Sequence, residues 1–133
     1  MKTRSKFVVA AVLALWTMMF VGGTAWPNEP AVSDYDQYLI NSLKDENVGI
    51  RTSAAQLLGE RKSEAAVMPL VKMIKVEKNY AARIVAAMAL YQIGDEKALP
   101  CLKSVAKKDK NQTVRHVAAG IVRQMQEKEY TQK

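Results

Sequence analysis

Among the side chains able to do chemistry, one pattern recurs and two residues stand alone. Asp45, Glu77 and Asp109 each precede an arginine by six positions, the arginines being Arg51, Arg83 and Arg115. A carboxylate near a guanidinium could serve acid–base chemistry or hold an anion, but a catalytic pair has no need of three copies in register. Three equal pairs fit an architectural role, in which the acid lies in a turn, accepts bonds from helix-start amides and receives an arginine from one helix further in. His116 is the single histidine and Cys101 the single cysteine. Two such ligands are too few for a zinc or haem site. A Cys–His nucleophilic pair is conceivable, yet Cys101 lies in an apolar stretch and reads as a small buried hydrophobe. There is no Gly-rich phosphate loop and no nucleophile elbow. The chain is therefore expected to hold no metal and no cofactor, and to do no catalysis. Its methionines fall mostly at helical spacing, and Met73 reads as core filler rather than as a metal ligand.

The elements that position these residues follow from the period. Arg51, Arg83 and Arg115 are separated by 83 − 51 = 32 and 115 − 83 = 32 residues. Each is followed by an alanine pair (Ala54-Ala55, Ala86-Ala87, Ala118-Ala119) and then by an apolar residue (Leu58, Leu90, Val122) in the same phase. A fixed period of this length signals stacked repeats. The apolar spacing is helical throughout, with no alternating strand pattern. It predicts first helices near 34–44, 64–76 and 96–107 and second helices near 48–61, 80–93 and 112–128. The turns within pairs carry Asn47, Asn79 and Asn111, and Gly59 to Ser63 and Gly94-Asp95 separate the pairs. Ser33 with Asp36 resembles a capping box. The expected fold is all-α: three antiparallel helix pairs stacked as a short right-handed α-solenoid over residues 33–128, with repeats near 33–61, 62–94 and 95–128 and a polar tail at 129–133. The alanines let second helices approach closely, so Ala87→Leu should cost about 1–3 kcal/mol.

Residues 1–25 follow another logic. Lys2, Arg4 and Lys6 precede an apolar run from Phe7 to Val21, and Gly22-Gly23-Thr24-Ala25 supplies small residues where a signal peptidase cuts. A helix over that run would reach roughly 22 Å, short of a hydrocarbon core of about 30 Å. The expectation is a cleaved secretory signal ending near Ala25, a linker at 26–32 and a periplasmic or secreted product, with an uncleaved anchor as the alternative. Membrane contact is expected only through that anchor. The formal charge is +7, and without the three basic residues of the leader it becomes 17 − 13 = +4. A charge of that size favours solubility but does not mark a nucleic-acid binder. One cysteine cannot form an internal disulfide, so stability rests on apolar packing.

The segments Val48-Gly-Ile-Arg-Thr-Ser-Ala-Ala-Gln-Leu-Leu-Gly59 and Ala82-Arg-Ile-Val-Ala-Ala-Met-Ala-Leu-Tyr-Gln-Ile-Gly-Asp95 resemble HEAT repeats, in the short form first named for phycobilisome lyases. Pro69 and Pro100 fall where first helices of such repeats often carry proline. The resemblance covers about residues 34–126. It implies a solenoid that offers binding surfaces, and it departs at both ends. The first helix of the first repeat lacks that proline, and the third repeat ends in Gln-Met-Gln-Glu-Lys-Glu-Tyr rather than Ile-Gly-Asp, as suits terminal repeats that present a polar end to solvent.

One departure inside the stack points to function. One, two and five positions after the arginine, the first repeat has Thr52, Ser53 and Gln56, and the third has His116, Val117 and Gly120. The middle repeat has Ile84, Val85 and Met88, with Tyr91 a turn further on. Second helices line the concave face of HEAT-like stacks, so an apolar patch of Ile84, Met88 and Tyr91, edged by His116 and Arg123, is expected there as the site for a protein or peptide partner. Val85 is assigned instead to a seam between repeats. The resemblance also implies an alternative, a lyase or lyase-chaperone subunit acting on bilins. A third reading is a structural unit that weakly self-associates end to end.

Overall fold

Asn47, Asn79 and Asn111 each start a second helix, and the three lie 32 residues apart. Their side-chain oxygens accept from the amides of Gly49 at 2.8 Å, of Ala81 and Ala82 at 2.9 and 3.1 Å, and of Thr113 and Val114 at 2.9 and 3.2 Å. Each satisfies helix-start donors that would otherwise lack a partner. The structure, a computed structural model, describes residues 32–131. The leader at 1–25, the linker apart from Val32, and residues 132 and 133 lie outside them.

The elements are α1 (Asp34–Ser42), α2 (Val48–Glu60), a 3-10 turn (Glu64–Ala66), α3 (Val67–Val76), α4 (Tyr80–Ile93), a second 3-10 turn (Glu96–Ala98), α5 (Leu99–Lys108) and α6 (Gln112–Thr131). The described residues are thus all-α and contain the six expected helices in three pairs. Two expectations shift. α3 and α5 start three residues late, because the residues before them wind as 3-10 turns that let the chain reverse. α6 runs on through residues 129–131, which were expected as a tail. Gln124 to Glu129 are strong helix formers with no glycine or proline among them, and Met125 is anchored in the core. The Ser33 hydroxyl accepts from the Asp36 amide at 3.1 Å, but the Asp36 carboxylate turns to Arg61 rather than completing a capping box.

Packing has two layers. α2, α4 and α6 lie side by side, and α1, α3 and α5 each cover the second helix of their own pair. The six helices bury one continuous core that includes Leu39, Leu58, Leu70, Leu90 and Leu102. Ala54, Ala55, Ala86, Ala87 and Ala118 are buried as the close-approach reading expects. Ala119 is exposed, because no further helix among the described residues covers it.

The α2–α4 seam is the tight one. A β-carbon on Gly59 would stand 2.8 Å from the Ala89 Cα and 3.0 Å from its Cβ, so glycine is required for that approach. Thirty-two residues on, Tyr91 and Ile121 hold the corresponding places, and α4 and α6 are held further apart by their bulk. The first helices touch the following pair mainly through the 3-10 turns. That leaves their far ends splayed and opens grooves between them. The turns between pairs also differ in kind. Gly94 ends α4 in a left-handed conformation at φ 79°, and Lys62 takes the corresponding left-handed place after α2 at φ 53°.

Candidate functional site

The acid and arginine repeats form a ladder. Arg51 donates Nε and Nη2 to the Glu77 carboxylate at 2.6 and 3.0 Å, and Arg83 does the same to Asp109 at 2.8 and 2.8 Å. The remaining nitrogen of each arginine, Nη1, turns back to its own repeat. Arg51 gives it to the Asp45 and Glu46 carbonyls, Arg83 to those of Glu77 and Lys78, and Arg115 to that of Asp109 at 2.7 Å. An acid six residues before an arginine therefore offers that arginine its backbone carbonyl, while the carboxylates of Glu77 and Asp109 go to the arginine of the preceding repeat. The carboxylates do not cap the helix starts directly. They accept the amides of the asparagines, at 2.8 to 2.9 Å, and the asparagines do the capping.

This arrangement uses up the chemistry of the ladder. The Arg51 guanidinium holds the Glu77 carboxyl below its ordinary range, and Arg83 does so for Asp109, in both cases against the opposing effect of burial. Both carboxylates are charged, bonded on each oxygen and nearly inaccessible. Neither is free to act as a general base.

The patch expected on the second helices is brought together only in part. Met88 is 50% exposed on α4, and Ile84, one turn before it, is half-buried. His116 and Arg123 are exposed on α6. Tyr91 belongs elsewhere: it is half-buried in the α4–α6 seam, with Lys128 Nζ 4.6 Å from its ring centre. It borders a small pocket of about 130 Å³ with Leu99 and Met125. Val85 packs against the core as a seam residue.

The larger opening lies in the other layer. A groove of about 780 Å³ runs between α1 and α3, with Ile40, Leu43 and Met73 toward its floor and Met68, Pro69 and Val76 along one wall. Met68 and Val76 are 62% and 68% exposed. Lys44, Lys72 and Lys78 stand around it, and the Arg51–Glu77 pair closes one end. The corresponding groove between α3 and α5 holds about 460 Å³ and is less apolar and more basic, with Lys75, Lys78, Lys108 and Lys110 lining it beside Ile74, Val76 and Val105. The difference has a local cause: α5 carries Pro100 and Lys108 where α3 carries Met68 and Val76. The same comparison between repeats that singled out Ile84 and Met88 finds these residues when applied to the first helices.

Residues 37–121, well over half of the chain, match the family described as HEAT repeats. The chain belongs to the HEAT-repeat family. Among curated proteins, none matches it in sequence. As a HEAT-repeat protein it has a fold that commonly mediates protein interactions and is typically non-enzymatic. Its two isolated reactive residues stay apart in role. Cys101 is half-buried, packed against the core and lining the α3–α5 groove, and burial pushes its thiol above the ordinary value, with Lys75 opposing. His116 is not among the residues that line that groove. Among the described residues of this HEAT-repeat protein, no group of His, Cys, Asp or Glu could hold a metal ion, and no helix is long and apolar enough to cross a membrane.

Proposed function

We propose that this HEAT-repeat protein is a non-catalytic exported module that holds a protein or peptide partner on its repeat surface. Export is supported by the basic, apolar and small-residue order of residues 1–25. The observation that carries the binding role is the α1–α3 groove, where Met68 and Val76 leave apolar surface open beside a tightly bonded ladder. Its lysines, Lys44, Lys72 and Lys78, are charged neighbours of that apolar wall and outnumber Asp45, whereas Glu77 is neutralised by Arg51. The partner segment this suits has an apolar face flanked by acidic residues. Met88 and Ile84 on α4 form a second, smaller apolar surface on the opposite layer, edged by His116 and Arg123.

Partner capture from the exported fraction, with mass spectrometry of what is retained, tests the reading. Met68→Glu and Val76→Glu should each abolish retention of a specific protein, while Met88→Glu should leave it intact. The reverse pattern would move the site to the second-helix layer. Retention indifferent to all three substitutions would end the proposal.

A further inference from the structure

The ladder is incomplete at both ends, and the two unfinished ends are complementary. Glu77 and Asp109 each accept an asparagine amide and a doubly bonded guanidinium, whereas among the described residues the Asp45 carboxylate accepts the Asn47 amide alone, at 2.8 Å. At the other end, Arg115 bonds the Asp109 carbonyl through Nη1 but meets no carboxylate among the described residues. Its Nε and Nη2, the two nitrogens that Arg51 and Arg83 commit to the next repeat, bond no partner among the described residues. The seam residues are unfinished in the same sense. Ile50 is 45% exposed, although its counterparts Ala82 and Val114 are 0% and 1% exposed. Ala119 is exposed, although its counterparts Ala55 and Ala87 are buried.

The charges on the two ends are also opposite. Residues 33–47 carry Asp34, Asp36, Asp45 and Glu46 against Lys44, a net 1 − 4 = −3, with Asp36 already paired to Arg61. Residues 99–115 carry four lysines and Arg115 against Asp109, a net 5 − 1 = +4. Lys103 stands where the repeat register has the buried Val71, facing the position that a following pair would take.

We propose that copies of this chain stack end to end, with Arg115 of one copy bonding Asp45 of the next as Arg51 bonds Glu77 within a copy. Ala119 and Ile50 meet in that joint as Ala55 and Ala87 meet their neighbours inside the stack, and Lys103 comes to the acidic start of the next copy's α1. The joint repeats an interface the fold already makes, so it needs no rearrangement of either partner. Its two faces differ, so the association is heterologous and adds copies in a row rather than closing a symmetric dimer. The inference does not rest on the groove reading: Asp45 also lines the groove, but the joint is made by the end faces, and Val76→Glu alters the groove wall alone.

Sedimentation of the full chain at low salt, over a range of concentrations, tests it. The wild-type weight-average sedimentation coefficient should rise with concentration, and added salt should suppress the rise. Asp45→Arg and Arg115→Glu should each weaken self-association by at least about thirtyfold, because each sets like charges against one another in the joint. An equimolar mixture of the two variants should associate again, since Arg115 of the Asp45→Arg copies meets Asp45 of the Arg115→Glu copies and the alternate joints have their charges exchanged. That recovery also shows both variants to be folded. The double variant, with its charges exchanged, should self-associate again, and Val76→Glu should stack as wild type does. A wild-type protein that stays monomeric, or single variants that associate as wild type does, or a mixture that does not associate, would each overturn the proposal.

Discussion

Gly59 of α2 and Ala89 of α4 lie so close that a β-carbon on Gly59 would come within 2.8 Å of the Ala89 backbone. The contact sets the spacing of the first two second helices. Gly59→Ala tests this with two opposing effects. Alanine favours the helix by about 1 kcal/mol, but the helices must part to admit it, at a cost of about 1–3 kcal/mol. We expect net destabilisation, seen as a lower thermal midpoint. Stabilisation would show that α2 and α4 are not in such close contact.

Asp109→Asn should destabilise the protein by about 3 kcal/mol. The substitution removes the charge that Arg83 is bonded to, and Arg83 is buried with 4% of its side chain exposed. Denaturant titration measures the loss. Asp45→Asn should cost far less, since no guanidinium is bonded to that carboxylate among the described residues. Equal losses at the two positions would count against the ladder as the source.

Acid should unfold the protein through the same pairs. Glu77 and Asp109 have folded-state pKa values below their ordinary range, so the unfolded chain binds protons before the folded one does. Their contribution is complete above the unfolded values, about pH 4 to 4.5, and fades as pH falls through the folded ones. Thermal midpoints should be level in this respect from pH 7 to about pH 5 and decline below about pH 4. In Asp109→Asn the acid decline should be shallower. The same acid slope in both proteins would remove Asp109 from the account.

Lys62→Gly should stabilise. Lys62 holds φ at 53° where the next repeat uses Gly94, and a side chain in that region costs about 1–2 kcal/mol. Part of the gain is offset by the greater freedom of glycine in the unfolded chain. The expected net effect is under about 1 kcal/mol, read as a small rise in the thermal midpoint. Gly94→Lys should lower it.

The sequence by itself determined the repeat. A 32-residue recurrence of acid, arginine and alanine pair requires stacked helix pairs, because a helix pair with one apolar side is stable only when a neighbour covers it. It also placed those residues in architecture rather than in chemistry, and it marked Met88 and Ile84 as departures. Which carboxylate an arginine meets was not in the sequence. Arg83 is six residues from Glu77 and 26 from Asp109, and it takes a carbonyl from the first and the carboxylate from the second because stacking brings the next repeat's turn within reach. Tertiary structure also decided exposure. Helical periodicity tells which face of a helix a residue lies on, but not how far away the next helix stands. Tyr91 shares the departures of Ile84 and Met88 in sequence, yet the wide α4–α6 seam takes in its ring, and Lys128 covers it. Met68 and Val76 look like core residues of an apolar helix. Because the first helices reach the following pair mainly through the 3-10 turns, both lie at the edge of an open groove instead.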